Sequence, residues 1–134
     1  MIAPRVAASF ARQGLMTTLG ARLIEAGDGR ARIEAPIGPA VTQQHGLAHA
    51  GLTFALGDTA AGYAALTRLP EDREVVTVEI KINLIAPAIG DRLVATGRVV
   101  RAGRRLVVVT AEVAAGDPER PVAILQGTMM PVDR

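Results

Sequence analysis

The chain has no cysteine, no tryptophan, a single serine and three aromatic side chains among its 134 residues. The missing thiols exclude disulfides, thiolate metal sites and cysteine nucleophiles together, and they fit a cytoplasmic location. Ser9, the only serine, stands near the N-terminus outside any Gly-x-Ser-x-Gly setting, which removes the usual serine-hydrolase arrangement. Phe10, Phe54 and Tyr63 are too few for base-stacking platforms. The isoelectric point is near 9.9, yet the net charge is only +2, so no nucleic-acid partner is expected. No apolar run approaches the ~20 residues that a membrane-crossing helix needs, so no membrane partner is expected either. The opening stretch "MIAPRVAASFARQG" lacks the long apolar core of a cleaved signal peptide. His45 and His49 have the spacing of a helical zinc pair, but no Glu lies between them and no third ligand is evident. No metal or cofactor is expected.

What is present is apolar surface. Hydrophobic residues make up 49% of the chain and mean hydropathy is +0.28. One domain spanning 1–134 fits this length. Apolar surface in excess of what so small a domain can bury in its own core points to a partner subunit, and we expect a homo-oligomer.

Residues 5–13 suit a short helix ending at Gly14. Two strands, Ala21 to Glu25 and Arg30 to Ala35, flank the turn signal Gly27-Asp28-Gly29. After a loop from Pro36 to Gly46, a helix is predicted from about Ala48 to Leu69, stopped by Pro70. Four strands then follow. In the first, Val76, Val78, Ile80, Ile82 and Leu84 alternate with Thr77, Glu79, Lys81 and Asn83, which places Thr77 on the polar face. The second and third are joined by a turn at Arg101-Ala102-Gly103. A lone long helix amid antiparallel strands buries most surface against one face of the sheet, giving a two-layer α+β domain. Its many Ala and Gly residues suit strands that wrap the backbone closely.

Between Glu34 and Arg68 the only formal charge is Asp58. A carboxylate in apolar surroundings is costly unless something offsets it. It could cap a second helix beginning at Thr59, or face solvent. Upstream, His49, Ala50 and Gly51 fall where the long helix should begin, and unpaired backbone N–H groups there can bind an oxyanion. Gly51 would permit close approach of a ligand, and Gln43 could add a side-chain amide donor. Eight residues of helix span ~12 Å, too far for Ala50 and Asp58 of one chain to act on one carbonyl. Two antiparallel copies of the helix would bring Asp58 of one beside Ala50 of the other. A composite site at a dimer interface is therefore expected.

The segment 43–58, with "VTVEIKINLIAPA" and "GRVVRAGRRLVVVTAEV", resembles the hot-dog-fold acyl-CoA thioesterases. The nearest group is the phenylacetate-pathway (PaaI-like) branch, which includes the thioesterase superfamily member 2 type. The resemblance covers roughly residues 15–132. Gly46, His49, Gly51, Leu56 and Asp58 match the family pattern N-x-x-G-x-x-H-G-G-x-x-x-x-L-x-D. It implies an antiparallel sheet wrapped around one long helix, and hydrolysis of an acyl- or aryl-acyl-CoA to free acid and coenzyme A. It implies that Asp58 is the nucleophile or general base, and that the Ala50 amide polarises the thioester carbonyl with His49 beside it. Gln43 would position water or substrate. Thr77 would be contributed with Asp58 by the opposing subunit. The turn formed by Arg101, Ala102, Gly103, Arg104 and Arg105 would help hold the coenzyme A nucleotide, coenzyme A being part of substrate and product. A homodimer, doubled into a homotetramer, is the expected assembly. Ala50 replaces a glycine of the pattern and Gln43 an asparagine, so neither chemical group is lost. A non-catalytic acyl-CoA-binding module is the alternative. The Gly-Asp-x-Asn-Pro-x-His run of hot-dog hydratases is absent, since Thr59-Ala60-Ala61 follows Asp58.

Overall fold

Asp28 and Gly29 have φ of 49° and 76°, the pair of left-handed values that a tight type I′ hairpin turn requires. They join β1 (Arg22–Gly27) to β2 (Arg30–Pro36), with Gly27 opposite Arg30. The computed structural model describes residues 1–134 in full. After β2 come a 3-10 turn at Pro39–Val41, the helix α3 (Ala50–Leu66), and four strands: β3 (Arg73–Leu84), β4 (Arg92–Ala102), β5 (Val107–Ala115) and β6 (Arg120–Asp133). All six strands form one sheet in the order β1-β2-β4-β5-β6-β3, antiparallel throughout. β3 therefore ends the sheet with one free edge. Extra residues at Ile24, Val78, Val100 and Val122 interrupt the register and add local twist, which helps the sheet curl over α3. This is the hot-dog arrangement, an α+β fold.

α3 is small-sided because the strands come so close. A Cβ on Gly97 of β4 would lie 2.3 Å from the Ala60 carbonyl oxygen, and one on Gly57 would lie 2.8 Å from a Leu125 methyl of β6. Ten of the helix's 17 residues are buried, on most sides, as a helix hydrophobic all round requires. Around it Ile33, Leu93, Val109, Val113 and Met129 close one continuous core.

Three local expectations are corrected. The N-terminal segment is not one helix to Gly14 but two, α1 (Pro4–Phe10) and α2 (Gly14–Thr18), broken at extended Gln13. Arg5 fixes this segment by donating to the carbonyls of Leu69, Pro70 and Arg73. Arg101 and Ala102 lie in β4 rather than a turn: the bulge at Val100 re-phases the strand so that they pair with Val108 and Val107, and the turn comes after Ala102. Most consequential is Val78. It is the extra residue between Thr77, which faces Met129, and Glu79, which faces Thr128. The alternation of β3 slips there by one. Val75 and Thr77 share the helix side with Ile80 and Ile82, while Val76 and Val78 are 44% and 54% exposed.

Glu34 of β2 is partly buried between two arginines, pairing with Arg22 and, at 2.8 Å, with Arg92. The Arg22 hydrogen bond, Arg22's charge and Arg92 hold its carboxyl below the ordinary 4.5, against the opposing effect of burial. As pH falls, the unfolded chain takes this proton before the folded one does, so the pair's stabilisation is present above pH 4.5 and lost through the lower folded value. Glu34→Gln should flatten that part of a plot of unfolding free energy against pH. Gly97→Ala should lower the unfolding free energy by about 3 kcal/mol or more in a denaturant titration, since the neighbour it strikes is backbone.

Candidate active site

α3 begins with a histidine cap. His49 is extended, and its Nδ1 accepts the Gly51 N–H at 2.7 Å, while its carbonyl receives Leu52 and Thr53. Gly51 suits this cap, since a Cβ there would lie 3.0 Å from Nδ1. The row of free N–H groups expected at this terminus is thus reduced to one. Only Ala50, exposed, keeps an N–H without an intramolecular partner. Gln43 lies in the preceding loop, where Gly46 turns with φ of 78°. Its Oε1 accepts the N–H groups of His45 and Leu47, at 2.5 and 3.2 Å, which leaves Nε2 free to donate. Gln43 and Ala50 line one hollow of about 440 Å³, with Thr53 and the segment Ala86-Pro87-Ala88.

Asp58 lies mid-helix in unbroken α3, so it caps no second helix. It is half-buried rather than fully enclosed. Thr77, turned inward by the Val78 bulge, donates from Oγ1 to Asp58 Oδ1 at 2.7 Å and lies 3.3 Å from Met129 Sδ. Oδ2 of Asp58 accepts no hydrogen bond. Both residues open on a cleft of about 360 Å³ that runs along α3 from Phe54 to Leu66.

Sequence reasoning missed the far end of this cleft. There the buried Tyr63 hydroxyl accepts from Gln13 Nε2 at 2.9 Å and shares a hydrogen bond with Ser9 Oγ at 3.1 Å. The partners are separated by 50 and 54 residues, and no local pattern signals a pairing of that range. Gln13, placed at the break between α1 and α2, could have been found only by seeing that break.

Within one chain the two halves stay apart. The hollow beside Ala50 and the cleft beside Asp58 share no lining residue, and the helix between them rises about 12 Å. Arg101, Arg104 and Arg105 are exposed at the β4–β5 hairpin. Ala102, Val107, Met129 and Thr77 form one row across the sheet, so the hairpin lies three strand spacings, about 14 Å, from Thr77. Gly103 closes that hairpin by donating to the Leu106 carbonyl at 2.8 Å.

The fold is that of a hot-dog protein, and comparison with known proteins places the chain in a family. The family model of the thioesterase superfamily matches residues 45–122, and the chain belongs to that superfamily. A thioesterase family protein from Silicibacter pomeroyi superposes with a TM-score of 0.94 at 42% identity, covering 97% of each chain. A Bacillus halodurans protein solved with CoA gives 0.80 at 29% identity, over 96% of this chain and 83% of that one. The E. coli PaaI protein of the phenylacetic acid degradation operon shares the fold, with a TM-score of 0.85 at 24% identity over 94% and 89% of the two chains.

If the His49 cap holds the start of α3, His49→Ala should cost about 1 kcal/mol of stability, seen as a lower midpoint in denaturant without a change in slope.

Proposed function

We propose that the chain is an acyl-CoA thioesterase whose active site is assembled from two copies. The observation that carries this reading is the separation, on one rigid helix, of a donor half at Ala50 and Gln43 from a carboxylate half at Asp58 and Thr77. An antiparallel pairing of two such helices, crossing near Phe54, joins each donor half to the other copy's carboxylate. Phe54 is 38% exposed, and Val76, Val78 and Leu84 are exposed along β3, whose outer edge is unpaired. A long apolar edge strand of this kind invites pairing with a second chain. A dimer, doubled into a tetramer, accounts for both surfaces.

In this site the thioester oxygen accepts the Ala50 N–H, where the dipole of α3 adds to the stabilisation of negative charge. Gln43 Nε2 is the second donor available for substrate or water. Thr77 fixes Oδ1 of Asp58 and leaves Oδ2 to react. That oxygen either adds to the thioester carbon, with water releasing the acyl-enzyme afterwards, or takes a proton from a water that adds instead. On either route the C–S bond breaks, the new C–O bond carries an oxygen from water, and the proton passes to the departing thiolate. His49 shapes the helix start through its cap and needs no proton transfer. Arg101, Arg104 and Arg105 offer charge to the phosphates of coenzyme A, a reading supported by the CoA-bound Bacillus halodurans relative. Ala102 and Gly103 keep that hairpin narrow.

Release of free thiol from a panel of acyl-CoA thioesters tests this. Wild type should turn over at least one short-chain or aryl substrate, and Asp58→Asn should lower kcat by about 10³-fold with little change in KM. Equal rates in the two proteins on every substrate would overturn the proposal.

A further inference from the structure

The cleft beside Asp58 has an apolar passage and a polar end, and that end is not explained by thioester chemistry. From Asp58 to Tyr63 the helix rises about 7.5 Å. Val75 and Met129 are among the apolar residues of the cleft's lining, Phe54 stands one turn before Asp58, and Ser9, Gln13 and Tyr63 meet at the other end. The only charged residues lining the cleft are Asp58 and Glu74, both acidic. Such a cleft repels the phosphates of coenzyme A, so it takes the acyl side of the substrate. It also offers no cation to a carboxylate at the far end of an acyl chain, since Glu74 is itself paired with Arg134 at 3.6 Å.

The polar end has hydrogen-bonding capacity to spare. Ser9 and Tyr63 bring two hydroxyl protons, and the single bond between them uses one. Gln13 uses one amide proton on Tyr63. One hydroxyl proton, a second Gln13 amide proton and Gln13 Oε1 have no partner within the chain, and all three residues line the cleft. A methyl-ended chain reaching them would strip these groups of water and return no hydrogen bond. α1 carries Ser9, Gln13 stands just before α2, and Arg5 ties this segment to the loop after α3 and the start of β3.

Resting on the thioesterase reading, we propose that Gln13, Tyr63 and Ser9 set acyl specificity, selecting short acyl groups that carry an uncharged oxygen, hydroxyl or carbonyl, at the distal end. They are specificity residues, not catalytic ones. Long alkyl chains are disfavoured because they would cover the polar end and return no hydrogen bond, and dicarboxylic acyl groups because no cation lines the cleft.

The experiment compares hexanoyl-, omega-hydroxyhexanoyl-, adipoyl- and decanoyl-CoA on wild type, Gln13→Leu and Tyr63→Phe. In parallel, dissociation constants are measured for the matching non-hydrolysable thioether analogues. The hydroxylated substrate should exceed hexanoyl-CoA by about 10-fold or more in kcat/KM, with adipoyl- and decanoyl-CoA lower still. Both variants should bring the hydroxyl-to-methyl ratio close to one, a shift that mere loss of stability would not produce because both substrates would suffer alike. The thioether analogues should follow the same order. Turnover with no hydroxyl preference, or with a preference that neither variant changes, overturns this inference and leaves the thioesterase proposal intact. Absence of turnover with the predicted order among thioether analogues overturns the catalytic proposal and leaves the specificity assignment standing. Equal binding of all analogues overturns the assignment.

Discussion

Backbone approach between α3 and β4 is the constraint on which the rest of the molecule depends. Because Gly97 lies against the Ala60 carbonyl, neither the sheet nor the sheet-facing side of the helix has room for bulk. The helix meets β4 and β6 with Gly57, Ala60, Ala61 and Ala64, and larger core side chains come from the strands, from Met16, and from Leu56 and Leu66 of the helix itself. Polarity on α3 is then carried by the stripe of Phe54, Asp58, Thr59 and Tyr63, which lines the cleft shared with Val75, Thr77 and Met129 at the β3 edge of the sheet. Tight packing against β4 and an open cleft beside β3 are two results of one geometric requirement.

The same rigidity makes α3 a measure of distance. Its first residue carries the lone free amide and its ninth carries the carboxylate, and no side-chain motion can shorten the interval between them. The His49 cap sharpens this by taking up the Gly51 N–H, so that donation from the terminus is focused on Ala50. The methyl group of Ala50 does not disturb the amide, because the helix and its cap fix the backbone independently of that side chain.

Much of this was legible in the sequence. The turn at Asp28-Gly29, the long small-residue helix stopped before Pro70 and the run of four strands follow from local chemistry and periodicity. Asp58 stands out as the only formal charge between Glu34 and Arg68, Ala50 because it falls where the long helix should begin, and Gln43 as an amide donor just upstream. What was not legible depends on register. Nothing in "VVTVEI" announces that Val78 is bulged, and an unbroken alternation assigns Thr77 to the wrong face. Arg101 and Ala102 read as a turn for the same reason, one bulge earlier in their strand. The Ser9–Gln13–Tyr63 cluster joins segments that meet only after α1 and α2 have docked on the end of α3.

The bulge at Val78 also divides β3 into two frames. Residues before it are in phase with the helix side at odd positions, and residues after it at even positions. Such a strand tolerates conservative exchange of side chains but not loss of a residue from either frame. Only the loss of Val78 itself would heal the alternation, leaving Thr77 opposite Met129 and facing Asp58; loss of a residue from within either frame would turn inward side chains outward. Length in this part of the chain is thus a chemical property, and descendants of this sequence can vary the composition of β3 far more freely than its spacing.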